Sequence, residues 1–167
     1  RGPRHLPDGR PLEILIEAPA EGTEFTDVLR LIHDSWQKLG IKVIPKSFQR
    51  EVMRQRIFSG ETLMSMWSGL ENGVATADSS PADLAPTSQI QLQWPKWGQY
   101  IETGGKVGEP VDMAPAKQLF ALKEDWRRAR TEEERSRIWH EMLHIYTNQV
   151  FTCLLYTSPS PRDRQKS

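Results

Sequence analysis

The chain has 167 residues, a length that suits about one domain with a buried core. Its 22 basic and 22 acidic residues cancel, which argues against the one-sided positive charge that nucleic-acid-binding proteins use against phosphates. The single cysteine, Cys153, excludes an internal disulfide framework and a zinc site built from several cysteines. No stretch approaches the roughly 18 consecutive apolar residues that a membrane-spanning helix needs.

The first part of the chain alternates predicted strands and helices. The β-rich run from Leu12 to Ala18 lies between two prolines and predicts a strand. Apolar residues at steps of three and four predict a helix that begins at Thr23 or Thr26 and ends before Gly40. The elements that follow are a strand at 41–44, a helix at 49–59 closed by Gly60, and a strand at 63–67. The order β-α-β-α-β predicts an α/β fold with a mainly parallel sheet.

The second part begins with a long irregular segment, 69–115, which is rich in glycine and proline and includes a helical turn within 89–100. Two helices follow, at 116–129 and from Thr131 to about residue 150, and the sequence Thr131-Glu132-Glu133-Glu134 is a capping box that opens the second. The proline- and serine-rich end is read as a non-native or disordered tail. The predicted organisation is a connecting segment at 1–11, a lobe at 12–152 and the tail at 153–167.

The sequence His140-Glu141-Met142-Leu143-His144 matches the H-E-x-x-H pattern of zinc hydrolases. Both histidines share the polar stripe of the predicted helix, so we expect them to face water. A catalytic zinc also needs a third protein ligand, and the sequence contains no histidine or glutamate after His144. A solvated helix face is therefore the favoured interpretation, and a zinc metallohydrolase remains the alternative.

An aromatic residue ends the third predicted strand. Ligands of open α/β sheets bind outside the carboxyl ends of the strands, where Trp67 would offer a flat apolar wall. Glu71 and Asn72 follow closely and offer a carboxylate for an ammonium group and an amide for peptide bonds. Trp94 and Trp97 are further candidate ligand-binding residues, although packing of the long segment explains them equally well.

The order of these segments resembles the C-terminal part of the family five extracellular solute-binding proteins, the dipeptide, oligopeptide and nickel receptor class. The resemblance covers residues 8 to about 152, and the ordered series carries it rather than any one motif. The matching segments are Asp8-Gly9-Arg10-Pro11-Leu12-Glu13-Ile14-Leu15, the junction from Asp34 to Val43, the turn from Arg56 to Glu61, Thr131 to Arg135, and Gln149-Val150-Phe151.

This resemblance implies a periplasmic-binding-protein-like lobe of the type II, family five class, and a receptor that captures a solute for an ABC permease without catalysis or a cofactor. In that family, the segment after the strand that ends in tryptophan contacts the ligand, which points to Trp67, Glu71 and Asn72. The sequence departs from the family pattern there, because the usual acidic position lies in a Trp-x-x-Asp-like context.

The chain begins with Arg1 and shows no charged-then-apolar leader, so we expect a piece of a longer periplasmic protein whose N-terminal lobe is missing. Such a piece should bind its solute weakly or not at all. The alternatives are the zinc metallohydrolase and a stand-alone α/β interaction module. The sequence leaves the solute open among dipeptides, longer peptides, opines, sugars and metal chelates.

Overall fold

The computed structural model describes residues 2–67 and 80–153. The chain divides into two compact units. The first comprises Arg1–Glu71 and Pro86–Asp112, and the second comprises Asn72–Ala85 and Met113–Ser167. Helices and a small parallel sheet make up the described residues, which confirms the predicted α/β class. The predicted boundaries of the lobe, at residues 12 and 152, remain predictions.

The first unit is built on two parallel strands, β1 (Glu13–Pro19) and β2 (Lys42–Phe48), joined by helix α1 (Glu24–Gln37). The register places Glu13 opposite Lys42 and Pro19 opposite Phe48. Apolar side chains of both strands and of α1 form the core between them; its buried members are Ile16, Ala18, Leu29 and Val43. Helices α2 (Arg50–Ser59) and α3 (Pro95–Glu102) complete this unit.

The third predicted strand, 63–67, is not formed as a strand. The segment meets β1 at one parallel bridge between Glu17 and Ser65. The backbone N–H of Glu17 donates to Met64 O at 3.0 Å, and the N–H of Met66 donates to Glu17 O at 2.8 Å. Leu63 is 84% exposed and has no place in the core, so the pairing does not extend toward it. In the described part of the chain, the sheet therefore has two strands rather than three.

The predicted helix end at Gly60 is confirmed, whereas α1 ends at Gln37, three residues before Gly40. Gly60 caps α2 at φ 83°, and its N–H donates to the Ile57 carbonyl at 3.0 Å. Glycine reaches this left-handed conformation without the steric cost that a Cβ brings. Gly40 follows α1 in the turn that leads into β2, with its N–H on the Gln37 carbonyl.

The second unit is a helical hairpin with one short turn of 3₁₀ helix, Pro81–Leu84, packed against it. Helices α4 (Ala114–Arg128) and α5 (Glu132–Gln149) confirm the two predicted helices. The hydroxyl oxygen of Thr131 accepts a hydrogen bond from the Glu134 N–H at 3.2 Å, as the capping box predicts. The buried apolar residues of this unit include Leu84, Ala85, Ala116, Leu119, Ile138, Trp139, Met142 and Tyr146. No described helix is both long enough and apolar enough to cross a membrane.

Candidate functional site

The candidate site lies in the first unit, where the parallel strands end. Strand β1 ends at Pro19 and β2 at Phe48, so their carboxyl ends share one edge of the sheet. The bridged segment runs parallel to β1 and ends at Trp67, which therefore follows the same edge. This is the edge of an open α/β sheet at which ligands bind.

The Trp67 ring is half-buried and contacts two side chains at this edge. The Phe25 ring stacks on it with 6.5 Å between ring centroids and 25° between ring planes. The guanidinium carbon of Arg50 lies 5.4 Å from the Trp67 ring centroid, within the range of a cation–π interaction. The structure thus brings an aromatic pair and a cation together.

Arg50 is held at its backbone by the loop that follows β1. Its N–H, at the start of α2, donates to the Glu21 carboxylate at 3.0 Å. This hydrogen bond lowers the pKa of Glu21, and the positive charge of Arg50 acts in the same direction. No side-chain N–H of Arg50 donates to an acceptor within residues 2–67 and 80–153, and its guanidinium forms no ion pair there. The head group is exposed.

A buried carboxylate fixes the segment that leads to Trp67. Glu17, in β1, is fully buried and accepts hydrogen bonds from Arg56 Nη2 at 2.9 Å and from Arg56 Nε at 3.2 Å. The hydroxyl of Thr62 donates to the same carboxylate at 2.9 Å. Burial raises the pKa of Glu17, but the hydrogen bonds from Arg56 and Thr62 and the charge of Arg56 outweigh it, so the pKa lies below its usual value.

Sequence reasoning missed Glu17, Phe25 and Arg50 as parts of this region. Glu17 did leave a signal, because a charged residue inside the run Ile14-Leu15-Ile16-Glu17-Ala18 is rarely buried without a partner. Arg50 left none, since its position over Trp67 depends on the packing of α2 against the end of the sheet.

Trp94 and Trp97 lie at the start of α3. Trp94 is 4% exposed and its indole N–H donates to Gln91 Oε1 at 3.0 Å, so it packs inside the unit. Trp97 is half-buried and stacks on Trp94 with 6.4 Å between ring centroids. Glu71 and Asn72 lie outside the described residues. A ligand-binding role for all five predicted site residues remains a prediction.

The two histidines of the H-E-x-x-H pattern lie exposed on α5. His140 Nδ1 is 2.7 Å from the Ser136 carbonyl oxygen, and His144 Nε2 is 3.0 Å from Asn148 Nδ2. Each ring therefore hydrogen-bonds within its own helix. Among residues 2–67 and 80–153, no three histidine, cysteine or acidic side chains lie close enough together to hold a metal ion.

Comparison of the structure with solved structures decides the fold. The oligopeptide-binding protein OppA superposes with a TM-score of 0.74 and 21% sequence identity over 89% of this chain. The chain has the fold of a periplasmic solute-binding protein lobe. Similar structures include NikA from Brucella suis in complex with Fe(III)-EDTA (TM-score 0.58, 15% identity, 90% of this chain) and MelB from Agrobacterium fabrum in complex with stachyose (0.60, 14%, 86%). The predicted resemblance to the family five receptors is thereby confirmed at the level of the fold.

The chain spans only a part of these proteins: 25% of the length of OppA, 27% of NikA and 20% of MelB. No protein-family model and no curated protein sequence matches the chain.

Proposed function

We propose that the chain is part of the substrate-binding component of an ABC transporter, which captures a peptide-like solute in the periplasm without chemical change. The observation that carries this proposal is the half-buried Trp67 at the carboxyl edge of the sheet, in a chain with the fold of solute-binding proteins. The partners of such a receptor are a second lobe and a membrane permease.

In this proposal, Trp67 supplies an apolar wall for a solute side chain or peptide plane. Glu71 binds an ammonium group and Asn72 bonds the peptide backbone, while Trp97 adds a second aromatic surface supported by Trp94. The named solutes of the similar structures range from a metal chelate to an oligosaccharide, so the peptide preference rests on Glu71 and Asn72 rather than on the fold.

The experiment that tests the transport role is to sequence the source DNA beyond both ends of this reading frame. We expect an upstream signal peptide with several hundred residues, a downstream continuation and neighbouring permease genes. A start codon just before Arg1 and a stop after Ser167 would overturn the proposal and favour the stand-alone interaction module.

The full receptor encoded by the longer reading frame then allows the role of single residues in binding to be tested. Trp67→Ala should abolish peptide binding measured by calorimetry, whereas Trp67→Phe should retain most of it because an aromatic face is kept. Equal affinity of the Trp67→Ala variant and the parent protein would show that Trp67 does not contribute to binding.

A further inference from the structure

We infer that Arg50 makes this site selective for solutes that carry a carboxylate, with the Trp67 ring as the support beneath its guanidinium group. The inference rests on the proposed function and specifies the chemistry of the solute. It assigns a binding role to a cation that the sequence pattern did not single out.

The first argument is the unused hydrogen-bonding capacity of Arg50. An arginine over an indole ring contacts it through the face of the guanidinium group, which leaves the N–H donors at the perimeter for other partners. Within residues 2–67 and 80–153 none of these donors has a protein acceptor. Arg56, by contrast, is committed to Glu17 and Glu61.

The second argument is that no carboxylate of residues 2–67 and 80–153 forms an ion pair with the Arg50 guanidinium group. Glu17 is neutralised by Arg56 inside the unit, and Glu61 is paired with Arg56 at 2.8 Å. Glu21 accepts the backbone N–H of Arg50 rather than a side-chain donor, and its oxygens form no ion pair with the guanidinium group. A carboxylate is the planar, bidentate partner that a guanidinium group recognises best, so a solute carboxylate fits the position that the protein leaves open.

The third argument is that both halves of the proposed contact are held in place by β1 and its following loop. The bridge at Glu17 and the hydrogen bonds to its carboxylate anchor the segment that ends at Trp67. Glu21 anchors the backbone of Arg50. The ring is thus held in place and the Arg50 side chain starts from an anchored backbone, which reduces the conformational entropy lost when a solute binds.

The test is an NMR titration of the ¹⁵N-labelled chain with trialanine and with trialaninamide, which differs only by its blocked carboxyl group. The probe is the Trp67 indole N–H, assigned with a Trp67→Phe variant. We expect trialanine to bind about threefold to fivefold more tightly, the contribution of an exposed ion pair. Arg50→Gln should abolish this preference.

Arg54 supplies the matched control. It lies on the same helix, is exposed, and has its guanidinium carbon 5.5 Å from the Phe58 ring centroid. Arg54→Gln should keep the preference for trialanine. If both peptides shift the Trp67 resonance with equal affinity, or if Arg50→Gln keeps the preference, the Arg50 inference is wrong and peptide capture stands. If neither peptide shifts any resonance at millimolar concentrations, the Arg50 inference is wrong for this chain, and calorimetry on the full receptor decides peptide capture.

Discussion

The carboxylate of Glu17 is fully buried, and its charge is stabilised by partners from two other segments. Arg56 comes from α2, and Thr62 comes from the segment that leads to Trp67. A buried ion pair is retained only when hydrogen bonds satisfy its remaining oxygens, and here the described partners do so. These contacts therefore connect β1, α2 and the segment that leads to Trp67.

Glu17→Gln should lower the free energy of unfolding of the first unit by about 1–3 kcal/mol, because the amide cannot accept all the hydrogen bonds that the carboxylate accepts. Urea unfolding followed by tryptophan fluorescence measures the change. Glu13→Gln is the matched control, since Glu13 in the same strand pairs with Lys42 at 2.7 Å while remaining 41% exposed. Loss of this exposed ion pair should lower the free energy of unfolding by no more than about 1 kcal/mol. Equal effects of the two substitutions would contradict the buried role of Glu17.

The lowered pKa of Glu17 also predicts a pH dependence. A carboxyl group whose pKa is lower in the folded state contributes stability above its unfolded pKa and loses it as the pH falls through the folded value. The stability difference between the parent chain and Glu17→Gln should therefore be constant near neutral pH and shrink below about pH 4. Urea unfolding at a series of pH values measures it. A difference that grows on acidification would mean that the pKa of Glu17 is raised.

At the scale of elements, the turn after α3 depends on Gly108. Its φ is 86°, and an added Cβ would lie 2.7 Å from Tyr100 N, 2.8 Å from Gln99 Cβ and against the Lys96 carbonyl oxygen. This carbonyl accepts the N–H of Glu109 at 3.1 Å, so the chain returns closely onto the helix.

Gly108→Ala should lower the free energy of unfolding by more than about 3 kcal/mol, because backbone atoms cannot move away from the new Cβ as a flexible side chain would. The control is Gly9→Ala. Gly9 has nearly the same φ, 85°, but nothing lies within 4 Å of its added Cβ. Gly9→Ala should lower the free energy of unfolding by only about 1 kcal/mol, the strain of alanine in the left-handed conformation. Urea unfolding compares the two variants, and equal losses would show that the close approach at Gly108 is relieved at little cost.

The N-terminal cap of α5 gives a second prediction at this scale. Thr131→Ala should increase the hydrogen-exchange rate of the Glu134 amide about fivefold, since the loss of an N-cap costs about 1 kcal/mol. NMR exchange measurements read this amide directly. Thr131→Ser keeps the hydroxyl and should keep the protection. An unchanged rate in Thr131→Ala would mean that the cap hydrogen bond does not protect the amide.

The elements show why some of the fold was predictable from the sequence and some was not. Local signals predicted β1, α1, α2 and both helices of the second unit, because periodicity, a capping box and glycine stops act over a few residues. The prediction of a strand at 63–67 was wrong because strand formation depends on pairing with a neighbouring strand. This segment pairs with β1 at a single bridge, at Glu17. The position of Trp67 at the carboxyl edge of the sheet was predictable, because its segment does run parallel to β1 at the bridge between Glu17 and Ser65. Arg50 was not, since only the tertiary structure brings it over that ring.

At the scale of the whole molecule, the small share of the similar proteins that the chain spans sets its expected affinity. Periplasmic binding proteins close two lobes around a ligand by a hinge motion, and the closed cleft removes the ligand from water. This chain covers 25% of the length of OppA. In the proposed receptor a second lobe supplies further contacts, and without them the exposed cation at Arg50 competes with water for a solute carboxylate.

We therefore expect the isolated chain to bind trialanine with a dissociation constant above about 0.1 mM in calorimetry at neutral pH. The Trp67→Ala variant is the control and should show no heat of binding. Raising the salt concentration should weaken binding further, because the contact at Arg50 is exposed and screened. Tighter binding would mean that these 167 residues enclose the solute by themselves, which would contradict the two-lobe mechanism and favour an independent binding module.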